Sequence, residues 1–209
     1  MKIIICDDHK IVRDGLREIL KQLPDAPVIM DAAEGKEVLA LLAESAYDIV
    51  LLDISLPERS GLEILQLIKD KFPGTNVLML SMYAQEQYAI RSMKLGASGY
   101  LTKDTASEEL LLAVKRVSDG GTYISQALAE NMAQHLDRRN KFALKHEALS
   151  GREFEIMIKL ANGGSLNDIG KELCISNKTV STYRGRVMVK MDFKTNSELT
   201  KYCMENQLI

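Results

Sequence analysis

Cysteine, proline and tryptophan are scarce in this chain of 209 residues, which has three, four and none of them. Cys6, Cys174 and Cys203 are odd in number and widely spaced, so a disulfide framework or a zinc site is disfavoured and reduced, mostly buried thiols are expected. No apolar run approaches membrane-spanning length, and the first residues predict a strand rather than a signal peptide. We therefore expect a cytoplasmic protein without membrane contact.

The charge is unevenly distributed along the chain. The whole sequence carries a formal net charge of −2, but residues 1–125 carry −5 and residues 126–209 carry +3. An acidic front part and a basic back part suggest two tasks, the second on a polyanion.

The front part alternates short apolar runs with amphipathic stretches. Regular alternation of strand and helix predicts an α/β domain, a five-stranded parallel sheet with helices on both faces. The predicted strands are 2–6, 27–30, 48–52, 76–80 and 98–101, and the predicted helices lie near 10–22, 35–45, 61–71, 85–95 and 106–118.

Polar residues stand where these strands end. Asp7 and Asp8 follow the first strand, Asp53 ends the third, Ser81 ends the fourth and Lys103 follows the fifth. Parallel sheets bind ligands beyond the carboxyl ends of their strands, so these five side chains should meet. Three carboxylates repel one another unless a cation joins them, and oxygen ligands suit Mg²⁺. A carboxylate beside such a metal can attack phosphorus and become an aspartyl phosphate.

The motifs that carry these residues resemble those of two-component receiver domains. The resemblance covers residues 1–119, and its motifs occur in the family's order: CDDH (6–9), LLDISLP (51–57), LS (80–81) and GYLTK (99–103).

The resemblance implies a role for each residue at this edge and a flavodoxin-like strand order. For Tyr100, a half-buried strand aromatic is the alternative. The implied roles are these: Asp53 is the phosphoacceptor; Asp8, Asp53 and the backbone carbonyl of Ser55 bind Mg²⁺; Asp7 binds it directly or through water; Lys103 stabilises the phosphoryl group; Ser81 and Tyr100 form the switch pair.

A phosphatase of the haloacid dehalogenase type would also use a strand-end aspartate as nucleophile. Such an enzyme needs a second aspartate two residues later as general acid, and that position is Ser55. The sequence therefore favours a domain that keeps its phosphoryl group, with slow self-dephosphorylation at most, over an enzyme.

The back part contains four predicted helices. Ser150 and Glu153 have the spacing of a capping box, and Ser176 is placed to cap a third helix over 177–190. A helix, a short turn and a second capped helix form a helix-turn-helix. Residues 126–136 predict a short helix and 137–147 a solvated linker.

The third of these helices has an apolar side and a polar side, and a merely solvated charged helix is the alternative reading. From residue 149 onward, LSGREFEIMIKLANG, IGKELCISNKTVSTY and VMVKM are similar to the LuxR-type DNA-binding domain. The predicted DNA-contacting residues are Asn177, Lys178, Thr179, Ser181, Thr182, Arg184, Arg186 and Lys190.

Together the two resemblances predict a response regulator of the NarL/FixJ type. Its domains would be a receiver over 1–120, a linker with a short helix over 121–147 and a helix-turn-helix domain over 148–209. The expected partners are a histidine kinase or a small phosphodonor, double-stranded promoter DNA and a second copy of the chain. The alternative is a DNA-binding regulator that works without phosphorylation and whose receiver serves for dimerisation or interaction.

Overall fold

The computed structural model describes residues 1–24, 26–82, 86–104, 107–125, 128–130 and 144–209. In the front part, strands and helices alternate as predicted, with bounds that differ by a few residues at most. The strands are β1 Lys2–Cys6, β2 Val28–Ala32, β3 Ile49–Asp53, β4 Asn76–Ser81, β5 Gly99–Thr102 and β6 Tyr123–Ile124, and the helices are α1 Lys10–Leu20, α2 Gly35–Glu44, α3 Gly61–Lys71, α4 Glu86–Lys94 and α5 Ser107–Ser118.

The strands form one parallel sheet in the order β2-β1-β3-β4-β5-β6. Its first five strands have the predicted flavodoxin-like order, which is confirmed. The sheet has six strands rather than the predicted five. Strand β6 is two residues long, and it lies so close to β5 that a Cβ on Gly99 would stand 2.5 Å from the Tyr123 carbonyl oxygen.

Alternate residues of the central strands pack on opposite faces of the sheet, because side chains alternate along a strand. Ile3 and Ile5 belong to the apolar cluster beneath α1 and α5, whereas Ile4 and Cys6 belong to the cluster beneath α2, α3 and α4. Burial on both faces accounts for the nearly continuous apolar runs of β1, β3 and β4.

The connection from β3 to α3 is tight and holds the end of β3 in place. Ser60 caps α3 by accepting a hydrogen bond from the backbone N–H of Leu62. A Cβ on Gly61 would lie 1.9 Å from the carbonyl oxygen of Asp53, so only glycine fits there. The Gly61 N–H donates to the Ile54 carbonyl at 2.7 Å, which fixes this loop against the strand end.

The back part is helical, and its four α-helices match the predicted ones. The predicted solvated linker 137–147 is wrong at its end, because residues 145–147 belong to a 3₁₀ helix in which His146 is buried. Ser150 forms the predicted capping box with Glu153, and Ser176 accepts a hydrogen bond from the Thr179 N–H as the predicted cap. The elements are a 3₁₀ helix Lys145–Ala148, α6 Gly151–Ala161, α7 Leu166–Glu172, α8 Asn177–Met191 and α9 Asn196–Glu205.

The two parts pack against each other through α6, which lies on α3 and α4. The Tyr88 and Phe154 rings meet edge to face with centroids 5.3 Å apart, and both side chains are buried. Of the predicted linker helix only residues 128–130 are described, and they are helical. Residues 137–143 of the predicted linker lie outside the described residues. Among the described helices, none combines the length and the apolar character needed to span a bilayer.

Candidate functional site

The carboxyl edge of the sheet brings together the acidic and basic residues that the sequence singled out. Asp7 and Asp53 are both buried, with exposures of 0 % and 2 %. Lys103 Nζ lies between them, 2.6 Å from Asp7 Oδ2 and 2.8 Å from Asp53 Oδ2. Asp7, Asp53 and Lys103 therefore lie in contact, as the sequence predicted.

Burial and charge set the protonation behaviour of this cluster. Burial raises the pKa of Asp53 to about 6, although Lys103 acts in the opposite direction. The pKa of Lys103 is raised as well, because its two carboxylate partners outweigh the effect of burial. A buried carboxylate that has a shifted pKa and a charged partner, and that lies at the end of a strand, is typical of a reactive site.

The residues present fit a divalent cation. Asp7 Oδ2 lies 2.6 Å from Lys103 Nζ, and Asp8 Oδ1 lies 2.7 Å from the His9 Nδ1 atom, so both carboxylate oxygens face groups that can carry positive charge. Oxygens of Asp7 and Asp8 and a ring nitrogen of His9 lie within 4.8 Å of one another. His9, which follows the acidic pair directly, is the member of this group that the sequence analysis did not predict.

The predicted switch pair lies beside this cluster and is buried. Ser81 and Tyr100 are each 1 % exposed, and their side chains are hydrogen-bonded to each other. The Lys103 N–H donates to the Ser81 carbonyl at 2.8 Å, which joins the two strand ends. Tyr100 is thus a fully buried residue next to the acidic cluster, and not the half-buried strand aromatic considered as the alternative.

Ser55 connects the acidic cluster to the back part of the chain. Its backbone N–H donates toward the Asp53 carboxylate, and its hydroxyl donates to Glu155 Oε1 at 3.0 Å. Arg152 donates to the Leu56 carbonyl at 2.8 Å. Sequence reasoning missed Arg152 and Glu155, because charged residues three apart on a helix are ordinarily exposed.

The predicted nucleic-acid face of α8 is solvent-exposed. Val180, Val187 and Met191 are buried and form the core side of the helix. The side chain of Lys178 makes no hydrogen bond or ion pair with any residue that the structure describes. The exposed residues on the other side are Asn177, Lys178, Ser181, Thr182, Gly185, Arg186, Val189 and Lys190.

Several of the predicted contact residues also make contacts within the domain. The Thr182 hydroxyl donates to the Lys178 carbonyl, and Arg184 Nε donates to Asn196 Oδ1 at 3.0 Å. Lys190 Nζ lies 2.6 Å from Glu153 Oε2. The Thr179 hydroxyl is paired with the cap Ser176 at 2.8 Å. Among the predicted basic residues, Lys178 and Arg186 therefore remain the exposed cations without an ion-pair partner in the described chain.

Comparisons with known proteins agree with this architecture. The family described as "Response regulator receiver domain" matches residues 3–115, and "Bacterial regulatory proteins, luxR family" matches residues 147–203. The oxygen regulatory protein NreC of Staphylococcus epidermidis is 35% identical over 216 residues, covering 100% of this chain and 99% of that protein.

Solved structures give the same fold. A LuxR-family two-component response regulator from an Aurantimonas species is 30% identical with a TM-score of 0.61, covering 64% of this chain and 96% of that one. RcsB of Salmonella enterica serovar Typhimurium, solved on a promoter with a phosphomimetic, is 22% identical with a TM-score of 0.62, covering 97% of each chain. This chain belongs to the two-component response regulators of the NarL/FixJ type, transcription regulators that join a receiver domain to a LuxR-type DNA-binding domain.

Proposed function

We propose that Asp53 accepts a phosphoryl group from a histidine kinase or a small phosphodonor, and that this controls how a dimer of the chain binds promoter DNA. The observation that carries the proposal is the buried contact of Lys103 with both Asp7 and Asp53 at the carboxyl edge of the sheet. Residues 1–120 would serve as receiver and 148–209 as DNA-binding domain, joined by the linker 121–147 in a cytoplasmic protein.

The side chains present can perform each part of this transfer. An ionised Asp53 oxygen attacks the phosphorus, the bond from phosphorus to the donor breaks, and the donor leaves with that electron pair. Asp7, Asp8, Asp53 and the Ser55 carbonyl would hold Mg²⁺, which offsets the charge of the phosphoryl oxygens when bound. Lys103 and the Ser81 hydroxyl would bind phosphoryl oxygens.

The exposed face of α8 supports binding in the major groove of DNA. Lys178 and Arg186 supply positive charge for phosphates, and the Ser181 and Thr182 hydroxyls can reach base edges. Two such helices in a dimer would contact two half-sites about one helical turn apart.

The Asp53→Asn variant tests the phosphoacceptor. We expect the wild-type chain to incorporate radiolabelled phosphate from acetyl phosphate only with Mg²⁺ present, and the variant to incorporate none. Asp31→Asn, an exposed carboxylate at the end of β2, is the matched control and should label normally. Equal labelling of wild type and Asp53→Asn would place the phosphoacceptor elsewhere.

The Lys178→Ala and Arg186→Ala variants test the DNA face. Each should weaken binding to a promoter duplex. Each should also reduce the slope of log affinity against log salt concentration by about one, because one fewer counterion is released. Lys71→Ala, which removes an exposed charge from the end of α3, should bind like wild type. Fluorescence anisotropy at several salt concentrations measures both quantities, and unchanged slopes for both variants would move the interface to another surface.

The alternative function is DNA binding without phosphorylation, with the receiver acting as a dimerisation or interaction module. The acidic cluster with Lys103 and Ser81 favours regulation by phosphorylation over this alternative. An absence of labelling by any phosphodonor, together with DNA binding that Asp53→Asn leaves unchanged, would favour the alternative.

A further inference from the structure

An aromatic ring on helix α8 holds the exposed cation of Arg186. The central carbon of the Arg186 guanidinium lies 5.5 Å from the centre of the Tyr183 ring. Residues three apart on a helix are neighbours on its surface, so the two side chains lie along the same edge of α8. Because the face of a ring attracts a guanidinium, this contact restricts where Arg186 places its charge.

The ring itself is anchored in the domain. Tyr183 is half-buried and packs against the apolar cluster to which Val180 and Val187 belong. Arg186 is exposed, and its long side chain would otherwise sample many rotamers. The anchored ring therefore gives a mobile cation a fixed support.

The acidic side chain on this edge is already occupied by other donors. Glu153 Oε2 accepts from Lys190 Nζ at 2.6 Å and from the Ser150 N–H at 2.8 Å. The pKa of Glu153 is lowered even though burial raises it, because Lys190 and, more weakly, Arg186 favour the carboxylate. Lys190 is thus neutralised by a direct ion pair, whereas Arg186 has no such pair with any residue that the structure describes.

The position of Arg186 on α8 suits a phosphate better than a base. At 3.6 residues per turn, Arg186 lies about 80° around the helix axis from Lys178. If Lys178 and Thr182 point into the major groove, Arg186 faces the wall of the groove, where the backbone phosphates lie. A guanidinium can bind a phosphate through two parallel hydrogen bonds.

We propose that Tyr183 and Arg186 form a binding site for one backbone phosphate of DNA, in which Arg186 is the ligand and Tyr183 is the positioning residue. This rests on the proposed DNA-binding face of α8, to which it adds the residue that directs the unpaired cation. A guanidinium that is already held in place loses less conformational freedom when the phosphate binds, so the affinity for DNA depends on the ring.

The Tyr183→Leu and Tyr183→Phe variants of the full chain test this by fluorescence anisotropy. The probe is a duplex selected from a random library by its binding to the wild-type chain. Leucine keeps the apolar packing but removes the ring, and it should weaken binding about threefold or more. Phenylalanine keeps the ring and should bind within about twofold of wild type.

The same substitution in an Arg186→Ala background separates positioning from a structural role. Tyr183→Leu should cost no further affinity there, because the ring acts through the guanidinium. A further loss as large as that in the wild-type background would overturn the proposal, and so would wild-type affinity in Tyr183→Leu. Wild-type affinity in Arg186→Ala would remove both this site and its contribution to the proposed DNA-binding face.

Neutral methylphosphonates, placed one at a time in the duplex, identify the phosphate. The position bound by Arg186 is the one where the neutral group weakens binding of wild type but not of Arg186→Ala. Tyr183→Leu should be less sensitive than wild type at that position and equally sensitive elsewhere. Full sensitivity of Tyr183→Leu at that position would contradict the positioning role.

Tyr47→Leu is the matched control. Tyr47 is also half-buried and also has a cation over its ring, with Lys2 Nζ 5.9 Å from the ring centre, but it belongs to the receiver. Tyr47→Leu should bind the duplex like wild type.

A second replacement keeps the test decisive if Tyr183→Leu does not fold. Pentafluorophenylalanine in place of Tyr183 keeps an apolar ring of similar size, but the face of this ring no longer attracts a cation. It should weaken binding about as much as leucine, and wild-type affinity with this ring would overturn the proposal.

Discussion

At the scale of single residues, the carboxylate that ends β3 destabilises the folded chain when it is ionised. Its pKa of about 6 lies above the ordinary value of 3.8, because burial penalises the charged form more than Lys103 favours it. The folded chain therefore binds the proton more tightly than the unfolded chain does. The stabilisation of the folded chain by this proton is fully present below pH 3.8 and is lost as the pH rises through about 6.

The neutral variant Asp53→Asn should therefore be more stable than wild type at pH 7.5. The expected gain in the free energy of unfolding is up to about 3 kcal/mol, at roughly 1.4 kcal/mol for each pKa unit. The gain should shrink as the pH falls from 7 through about 6, because the folded wild-type carboxyl takes up its proton in this range. Urea denaturation without Mg²⁺ at several pH values measures this.

An Asp53→Asn gain that did not vary with pH would show that ionisation of this carboxyl is not its source. Asp14→Asn is a suitable control, because Asp14 is exposed and paired with Lys10, which lowers its pKa. Its effect on stability at pH 7.5 should be a small loss, since solvent screens an exposed ion pair.

At the scale of elements, the sequence predicted the strands and helices whose signals come from residues close together in the chain. Alternating apolar runs predicted β1 to β5, and the serines before α6 and α8 predicted where those helices begin. Strand β6 escaped prediction, because two residues carry no period and its pairing depends on the close approach to Gly99. The contact of Glu155 with Ser55 escaped too, since residues a hundred positions apart in the chain meet only through the docking of two domains.

Helix α8 contains a glycine that nothing within the chain requires. A Cβ on Gly185 would have no atom within 4 Å, so alanine should fit and stabilise the helix by about 1 kcal/mol. If α8 lies close against DNA, the added methyl group should weaken promoter binding severalfold while raising the midpoint of unfolding. Anisotropy and chemical denaturation of Gly185→Ala measure the two effects.

Gly15→Ala supplies the comparison, because Gly15 is also an exposed helical glycine with no atom within 4 Å of the added Cβ. It should stabilise the receiver by a similar amount and leave DNA binding unchanged. Wild-type affinity in Gly185→Ala would mean that the helix does not approach DNA at this residue.

At the scale of the whole molecule, the docked arrangement fixes where the DNA-binding face points without covering it. Helix α6 is buried against the receiver, whereas Lys178 and Arg186 of α8 stay exposed. Docking therefore leaves the exposed face of α8 accessible, and it constrains the position of α8 relative to the receiver. If the proposed dimer binds two half-sites, release of α6 would change which spacings of the half-sites the dimer can bind.

Arg91 of α4 is placed to control this docking. Its guanidinium lies 4.5 Å from the centre of the Phe154 ring and donates to the carbonyls of His146 and Leu149. Hydrogen bonds from a charged donor contribute about 1.5 to 3 kcal/mol each, so Arg91→Ala should lower the docking equilibrium tenfold or more. Small-angle scattering should then give a larger radius of gyration, and Arg116→Ala on the exposed side of α5 should not. An unchanged radius for Arg91→Ala would mean that the apolar contact of Tyr88 with Phe154 is sufficient to hold the domains together.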